Sequence, residues 1–486
     1  MKLGINFIAA FVGVGGFLLG YDVGIISGVL AMDSFKAVFE YDDWQKGAIV
    51  TAFVVGCCAG GTSSSFIAER LGRRTALQIS SAIFVVGGIA QVFCVSLHQL
   101  YAARVVSGVA VGISSAITPF FNSELAPANR RGMLVTLNQI FMTGGIMVAF
   151  WVNYALKDVQ GSFAGWRIAI AGQCVPGVVL FIGCLIVPRS PRWLVQQNRE
   201  PEAEAALLIL RGGQSINDEL DDIIRDVAAE RSVATANWGH FLQAITLRRV
   251  LTGCGLQMFQ MLTGINSVMY YAPAIFQACG FNTAEQLLAT GGVGVVNFLA
   301  TFVAFWLMDR VGRRKLLVSG ALGMAVSMAV LAALGMTYAS ADAVGSASGS
   351  AAAVGAAAVE IQSRTVGYIC IAAIYLFTIC FAYSWGPCVW CLCSEIFPTA
   401  QRAKGVSITT TTNWTFGIII SQFVPVLQDA LGFGLFLIFA GFCVLMAGFT
   451  LVFVPETRGV SIDAISQLEP WQCRKKTQNQ LQKPLF

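Results

Sequence analysis

Long apolar runs separated by short polar breaks fill this chain. They fall at about residues 6–30, 46–68, 75–96, 99–121, 132–155 and 165–187, and again at 250–278, 284–308, 315–338, 366–392, 403–427 and 431–454. Each is close to the roughly 20 residues that carry a helix across a hydrocarbon core. None alternates with the period of two found in barrel strands of about 10 residues. The pattern predicts an all-α polytopic membrane protein, with twelve transmembrane helices in two six-helix halves. The first half covers residues 1–188, a linker 189–249, the second half 250–456 and a tail 457–486.

The polar breaks add detail. In the linker, Pro201-Glu202-Ala203-Glu204 and Asn217-Asp218-Glu219-Leu220 each open an amphipathic stretch with an acidic first turn, so short surface helices are expected. Residues 339–363 are rich in Ala, Gly and Ser and read as a low-complexity loop. The polar stretch 470–486 has too little apolar surface to fold alone. Basic residues cluster in alternate short loops, at Arg70, Arg73, Arg74, Arg130, Arg131, Arg310, Arg313, Arg314, Lys315, Arg402 and Lys404. The opposite loops hold Lys36, Lys157, Arg167 and Arg364. That asymmetry places both termini and the linker in the cytoplasm. Lys2 followed by an apolar run imitates a secretion signal, but no small-residue cleavage site follows and the run continues to Leu30, so a retained first span is expected.

Composition removes the soluble classes. The chain is 56% hydrophobic and 12% charged, where soluble domains carry about 25% charged residues. The net charge of +5 is accounted for by the loop residues and gives no reason to expect nucleic acid. The fourteen Cys lie scattered, many in apolar runs, as small hydrophobes do. The two His, His98 and His240, are far apart, so no metal site, cofactor or His-based catalytic constellation is expected, and no enzyme.

Candidate chemistry sits inside the apolar runs. Asp22 interrupts Leu18-Leu19-Gly20-Tyr21-Asp22-Val23-Gly24-Ile25, and Arg104 interrupts the fourth run. A charge at such depth costs about 3 kcal/mol or more unless it faces protein or water. Arg stays charged, so only the carboxylate of this pair titrates, and its proton affinity follows the distance to the guanidinium. Amides recur as well: Gln139, then Gln260 and Asn266 in Gln260-Met261-Leu262-Thr263-Gly264-Ile265-Asn266, then Asn297 and Asn413. Trp390 lies near Gly386-Pro387. Amides donate and accept, which suits hydroxyl pairs, and an indole offers a flat face to a sugar ring. The same amides also serve as interhelical contacts worth about 0.6 kcal/mol each. Gly264 and Gly386-Pro387 suggest helices broken around a cavity.

The halves repeat each other. Glu69-Arg70-Leu71-Gly72-Arg73-Arg74 returns as Asp309-Arg310-Val311-Gly312-Arg313-Arg314. Ser123-Glu124-Leu125-Ala126-Pro127, followed by Arg131, returns as Ser394-Glu395-Ile396-Phe397-Pro398, followed by Arg402. Pro188-Arg189-Ser190-Pro191-Arg192 answers Pro455-Glu456-Thr457-Arg458-Gly459. Internal duplication around a central site is the plan of a transporter.

Taken together, from about Gly20 to Gly459, these motifs resemble the sugar porter family of the major facilitator superfamily, and within it the proton-coupled hexose symporters. The resemblance implies a monosaccharide carried by alternating access with a proton as coupling ion, in the plasma membrane, by a monomer. It implies a hexose-binding set of Gln139, Gln260, Asn266, Asn297, Trp390 and Asn413, and a proton-coupling pair of Asp22 and Arg104. It implies a cytoplasmic gate of Glu69, Arg73, Arg74, Glu124, Arg131, Asp309, Arg313, Arg314, Glu395, Arg402 and Glu456. An uncoupled hexose, pentose or polyol uniporter, or a non-transporting sugar sensor, are the alternative readings. Met261 stands where many relatives have a second Gln, and Arg189 where the pattern has Glu.

Overall fold

The computed structural model describes residues 5–126, 131–159, 164–211, 216–233, 244–345, 364–397 and 399–456. The first half holds α1 (Ile5–Val29), the short α2 (Asp33–Val38), α3 (Asp43–Leu71), α4 (Arg73–Val92), α5 (Leu97–Leu125), α6 (Arg131–Ala155), α7 (Gly165–Ala171) and α8 (Cys174–Ile186). Linker helices follow: α9 (Pro191–Gln196), α10 (Glu200–Arg211) and α11 (Asn217–Val233). The second half holds α12 (Ala244–Leu262), α13 (Ile265–Ala278), α14 (Thr283–Val311), α15 (Arg313–Gly345), α16 (Arg364–Cys380), α17 (Gly386–Glu395), α18 (Thr399–Leu431) and α19 (Gly434–Phe453). Ten stretches of the described residues are long and apolar enough to cross a membrane. With α6 and the broken pair α12–α13 they make twelve rods, as the hydrophobic pattern predicts.

Local chemistry explains several boundaries. Asp42 and Gln45 form a reciprocal capping box at the start of α3, and Asn282 and Glu285 do the same for α14. Each box satisfies two backbone donors that a helix start leaves without partners. Both helices end at a glycine of positive φ, Gly72 at 85° and Gly312 at 94°. The repeat seen in sequence is thus a repeat of helix start and helix stop. The structure differs from the sequence reading at one end: α15 continues to Gly345, into the segment expected to be a loop from residue 339. Ala-rich sequence sustains helix even without apolar periodicity. Residues 346–363, and the tail from 457, lie outside the described residues.

The linker helices carry the acidic first turns expected of them, at Glu200 and Glu202 and at Asp218 and Glu219. They bury their own small cluster around Trp193, Leu194, Ala203 and Val227. We call the membrane side that bears them the linker face, and the other the far face. The halves meet along α3 with α18, α6 with α14 and α1 with α13.

Two helices are broken where the cavity should lie. Gly264 has φ 85°, separates α12 from α13 and faces the Phe439 ring. A side chain there would be strained in backbone and would collide with that ring. Further along α13, Tyr271 departs from helical angles (φ −121°, ψ 17°) two residues before Pro273. In the tenth rod a π turn, Phe381–Trp385, joins α16 to α17 ahead of Pro387. Such turns expose backbone carbonyls and recur at functional sites.

Candidate sugar and proton sites

Asp22 and Arg104 are wholly buried, and Arg104 Nη1 lies 2.8 Å from each Asp22 carboxylate oxygen. The guanidinium is fixed by two further contacts. Its Nε donates to the Ile49 carbonyl at 3.2 Å, and its plane lies 4.6 Å from the Phe53 ring centre. Its Nη2 has no protein partner. One nitrogen therefore serves both carboxylate oxygens, instead of the two parallel bonds an Arg fork favours. The pair joins α1, α3 and α5 inside the first half.

The amides divide into groups. Asn413 Nδ2 donates to Gln260 Oε1 at 2.9 Å and to Gln257 Oε1 at 2.7 Å. Gln260 Nε2 in turn donates to the carbonyls of Trp385, at 2.7 Å, and Gly386, at 3.3 Å. The π turn of the tenth rod is thus held by an amide from α12, which is held by an amide from α18. Asn266 belongs elsewhere: its Nδ2 meets Met261 Sδ at 3.2 Å. Met261 places a thioether, a weak acceptor, against an amide that a Gln would bond more strongly. Asn297 is buried on α14, three positions from the seam contact of Gly294 with Met147. Gln139 is half-buried on α6. Trp390 is 40% exposed on α17, and no described contact joins it to the amide cluster.

Gln257, fully buried and one helical turn before Gln260, is a member of the cluster that the sequence reading passed over. Its spacing from Gln260 was the available signal, since residues three apart share a helix face.

At the linker face the two halves carry matching sets. Arg73 pairs with Glu124 at 3.0 Å and Arg313 with Glu395 at 3.4 Å. Arg73 Nη1 donates to Ala68 O, and Arg313 Nη1 to Met308 O. Arg74 Nη2 donates to Leu185 O, and Arg314 Nη2 to Leu451 O. Each described pair stays within one half. Glu69 is exposed, and its carbonyl receives the Trp193 indole N–H at 2.9 Å. The symmetry breaks at Glu456. Its carboxylate accepts the backbone N–H groups of Arg313, at 3.0 Å, and Arg314, at 3.2 Å, capping the start of α15. In the first half, where Arg189 replaces that acid, the Trp193 ring covers Gly72 and Arg189 lies over the ring at 5.8 Å. The side chains of Arg131, Asp309 and Arg402 lie outside the described residues.

The far face is closed across the halves. Gln422 Nε2 of α18 donates to the Trp44 carbonyl at 3.0 Å, and the Trp44 and Phe423 rings meet edge-on. Gly47 sits against the Gln422 carbonyl so closely that an added Cβ would lie 2.6 Å from it.

Residues 6–468 match the family model described as sugar (and other) transporter. The chain belongs to this sugar transporter family. The transporter is 34% identical to the galactose-proton symporter of Escherichia coli, over 95% of this chain and 93% of that one. It is 32% identical to the glucose transporter GlcP of Staphylococcus epidermidis, over 96% of each. Its fold is similar to that of the proton:xylose symporter XylE of the major facilitator superfamily, solved with 6-bromo-6-deoxy-D-glucose, with a TM-score of 0.77 and 28% identity over 96% of this chain and 99% of that one. The transporter is thus an integral membrane sugar carrier of the major facilitator fold.

Proposed function

We propose that this transporter is a proton/hexose symporter of the plasma membrane, with both termini and the linker helices in the cytoplasm. The supporting observation is the Asp22–Arg104 pair, wholly buried and bonded through a single guanidinium nitrogen. Protonating Asp22 removes the charge that holds that nitrogen. Arg104 then relaxes against Ile49 O and Phe53, and the first half is free to change its packing. Deprotonation restores the pair. The carboxylate does not need to touch the sugar; it biases which arrangement the halves adopt, and a few kcal/mol of bias suffices.

The sugar would lie against the amides of α12, α13 and α18, with Gln139 and Asn297 facing it across the α6–α14 seam and Trp390 at its linker-face edge. The Arg–Glu sets would hold each half rigid as residues 1–188 and 250–456 rock. Relatives named as glucose, galactose and hexose carriers support a hexose; one named as a xylose transporter makes a pentose the natural competitor.

The test is uptake of labelled glucose against a gradient at two external pH values, with wild type and Asp22→Asn. Accumulation that depends on external acid, and disappears in Asp22→Asn while counterflow persists, supports symport. Uptake that only equilibrates the sugar in both proteins, whatever the external pH, identifies an uncoupled uniporter; equal accumulation by both removes Asp22 from coupling.

A further inference from the structure

A cavity of ≈ 490 Å³ opens at the far face between the halves, and its wall includes Ser27 of α1, Glu40, Asp43 and Lys46 beside α3, and Tyr270 and Tyr271 of α13. It is not part of the amide cluster. Three of these six side chains carry charge and the other three bear hydroxyls, so the chamber suits water. Ser27 is 2% exposed, and its Oγ faces this space without any protein partner. A buried hydroxyl without a partner costs about 1–3 kcal/mol, and native proteins retain such groups where water or a ligand meets them.

Tyr270 borders both this chamber and the surroundings of the ion pair. It lines the cavity, yet its phenol is 4% exposed and lies within electrostatic range of Cys57, Asp22 and Arg104. These are the titratable and charged groups that face Asp22: Arg104 from α5, Cys57 from α3 and Tyr270 from α13. Tyr270 belongs to the second half, while Asp22 and Arg104 belong to the first. It stands on the segment between the left-handed Gly264 and the Tyr271 kink, so it is mounted between two breaks in the helix. Next to it, the Lys46 ammonium lies 5.5 Å from the centre of the Tyr271 ring, another contact from one half to the other.

We propose that Tyr270 is a proton gate. With the far face closed, its ring separates chamber water from the Asp22 carboxylate. When the halves part at the far face, α13 moves away from α1 and the ring leaves the neck. A proton from chamber water then reaches Asp22, converts carboxylate to carboxylic acid and breaks its bonds to Arg104 Nη1. No other bond changes. Glu40 and Asp43 at the mouth concentrate cations there, and Lys46 repels them whenever it swings free of Tyr271. The arrangement prevents protons from crossing without sugar, and it rests on the symport reading above.

The experiment uses purified full-length protein in proteoliposomes carrying an internal pH dye, with an acid-outside gradient and no sugar. Wild type and Tyr270→Phe, which keeps the ring, should admit protons no faster than protein-free vesicles. Tyr270→Ala should leak protons several-fold faster, and Tyr270→Ala/Asp22→Asn should lose that leak. Ser27→Leu, which fills the chamber from its floor, should slow sugar-driven proton entry without a leak. A tight Tyr270→Ala protein that still couples sugar to protons overturns the gate. So does a leak that survives Asp22→Asn. If wild type shows no sugar-driven proton entry at all, the symport reading itself fails, which is a separate outcome.

Discussion

Asn413 Nδ2 lies between two glutamine carbonyls, 2.7 Å from Gln257 Oε1 and 2.9 Å from Gln260 Oε1. One side chain of α18 thereby fixes the orientation of two on α12, and through Gln260 the bend of the tenth rod. Replacing Asn413 with Ala leaves two buried amide oxygens without that donor, at a cost of about 1–3 kcal/mol. Loss of transport affinity should follow, with KM for the sugar rising on the order of tenfold. Gln257→Ala should do the same although the residue has no predicted contact with sugar. Sugar-dependent uptake kinetics decide it: an unchanged KM in both variants removes the cluster from the binding site.

Met261 offers a second test. Its sulfur takes the Asn266 amide at 3.2 Å, and a glutamine oxygen would make a stronger acceptor and bring an extra donor toward the cavity. Met261→Gln should tighten sugar affinity severalfold, or reorder the preference between hexoses and pentoses. Competition of unlabelled sugars against labelled glucose reads this directly, and an identical ranking in both proteins rejects it.

Gly264 holds φ at 85° under the Phe439 ring. Gly264→Ala places a methyl group in a backbone region costing about 1–2 kcal/mol, before any collision with Phe439. The detergent-solubilised variant should melt at a lower temperature, and a transport rate reduced more than the melting shift explains would assign the break to the moving cycle. A fully stable, fully active Gly264→Ala protein contradicts the role of the break.

Glu456 accepts two backbone N–H groups at the start of α15. Charged acceptors at such a helix start contribute about 0.3–1 kcal/mol through the helix dipole, beyond the hydrogen bonds themselves. Glu456→Gln should weaken the second half's part of the linker-face gate and shift the resting population toward the state open at the linker face, so that the far face is open less often. Labelling of a cysteine introduced at Ser421 by a membrane-impermeant thiol reagent measures this shift; unaltered labelling counts against it.

Much of this arrangement was legible in the chain. Twelve apolar runs give twelve rods because the bilayer length allows little else, and Asp22 and Arg104 are found together because each costs too much alone at that depth. Other parts were not legible. Gln257 looks like any polar residue on an apolar helix until Asn413 is placed 156 positions later against it. The kink at Tyr271 follows from Pro273, but which residue would absorb it depends on the packing of α13 against α1 and α18. The helix to Gly345 was hidden because Ala-rich sequence suits both a loop of low complexity and an uninterrupted helix.

The difference between Glu456 and Arg189 has a wider consequence. A duplicated chain begins as two interchangeable halves, and here they no longer are. The second half anchors its inner helix start with a carboxylate accepting backbone N–H groups; the first anchors the same place with an indole packed on a glycine. The two halves of this carrier therefore tolerate mutation by different rules. A substitution copied from one half to its mirror position in the other should not be expected to have the same effect.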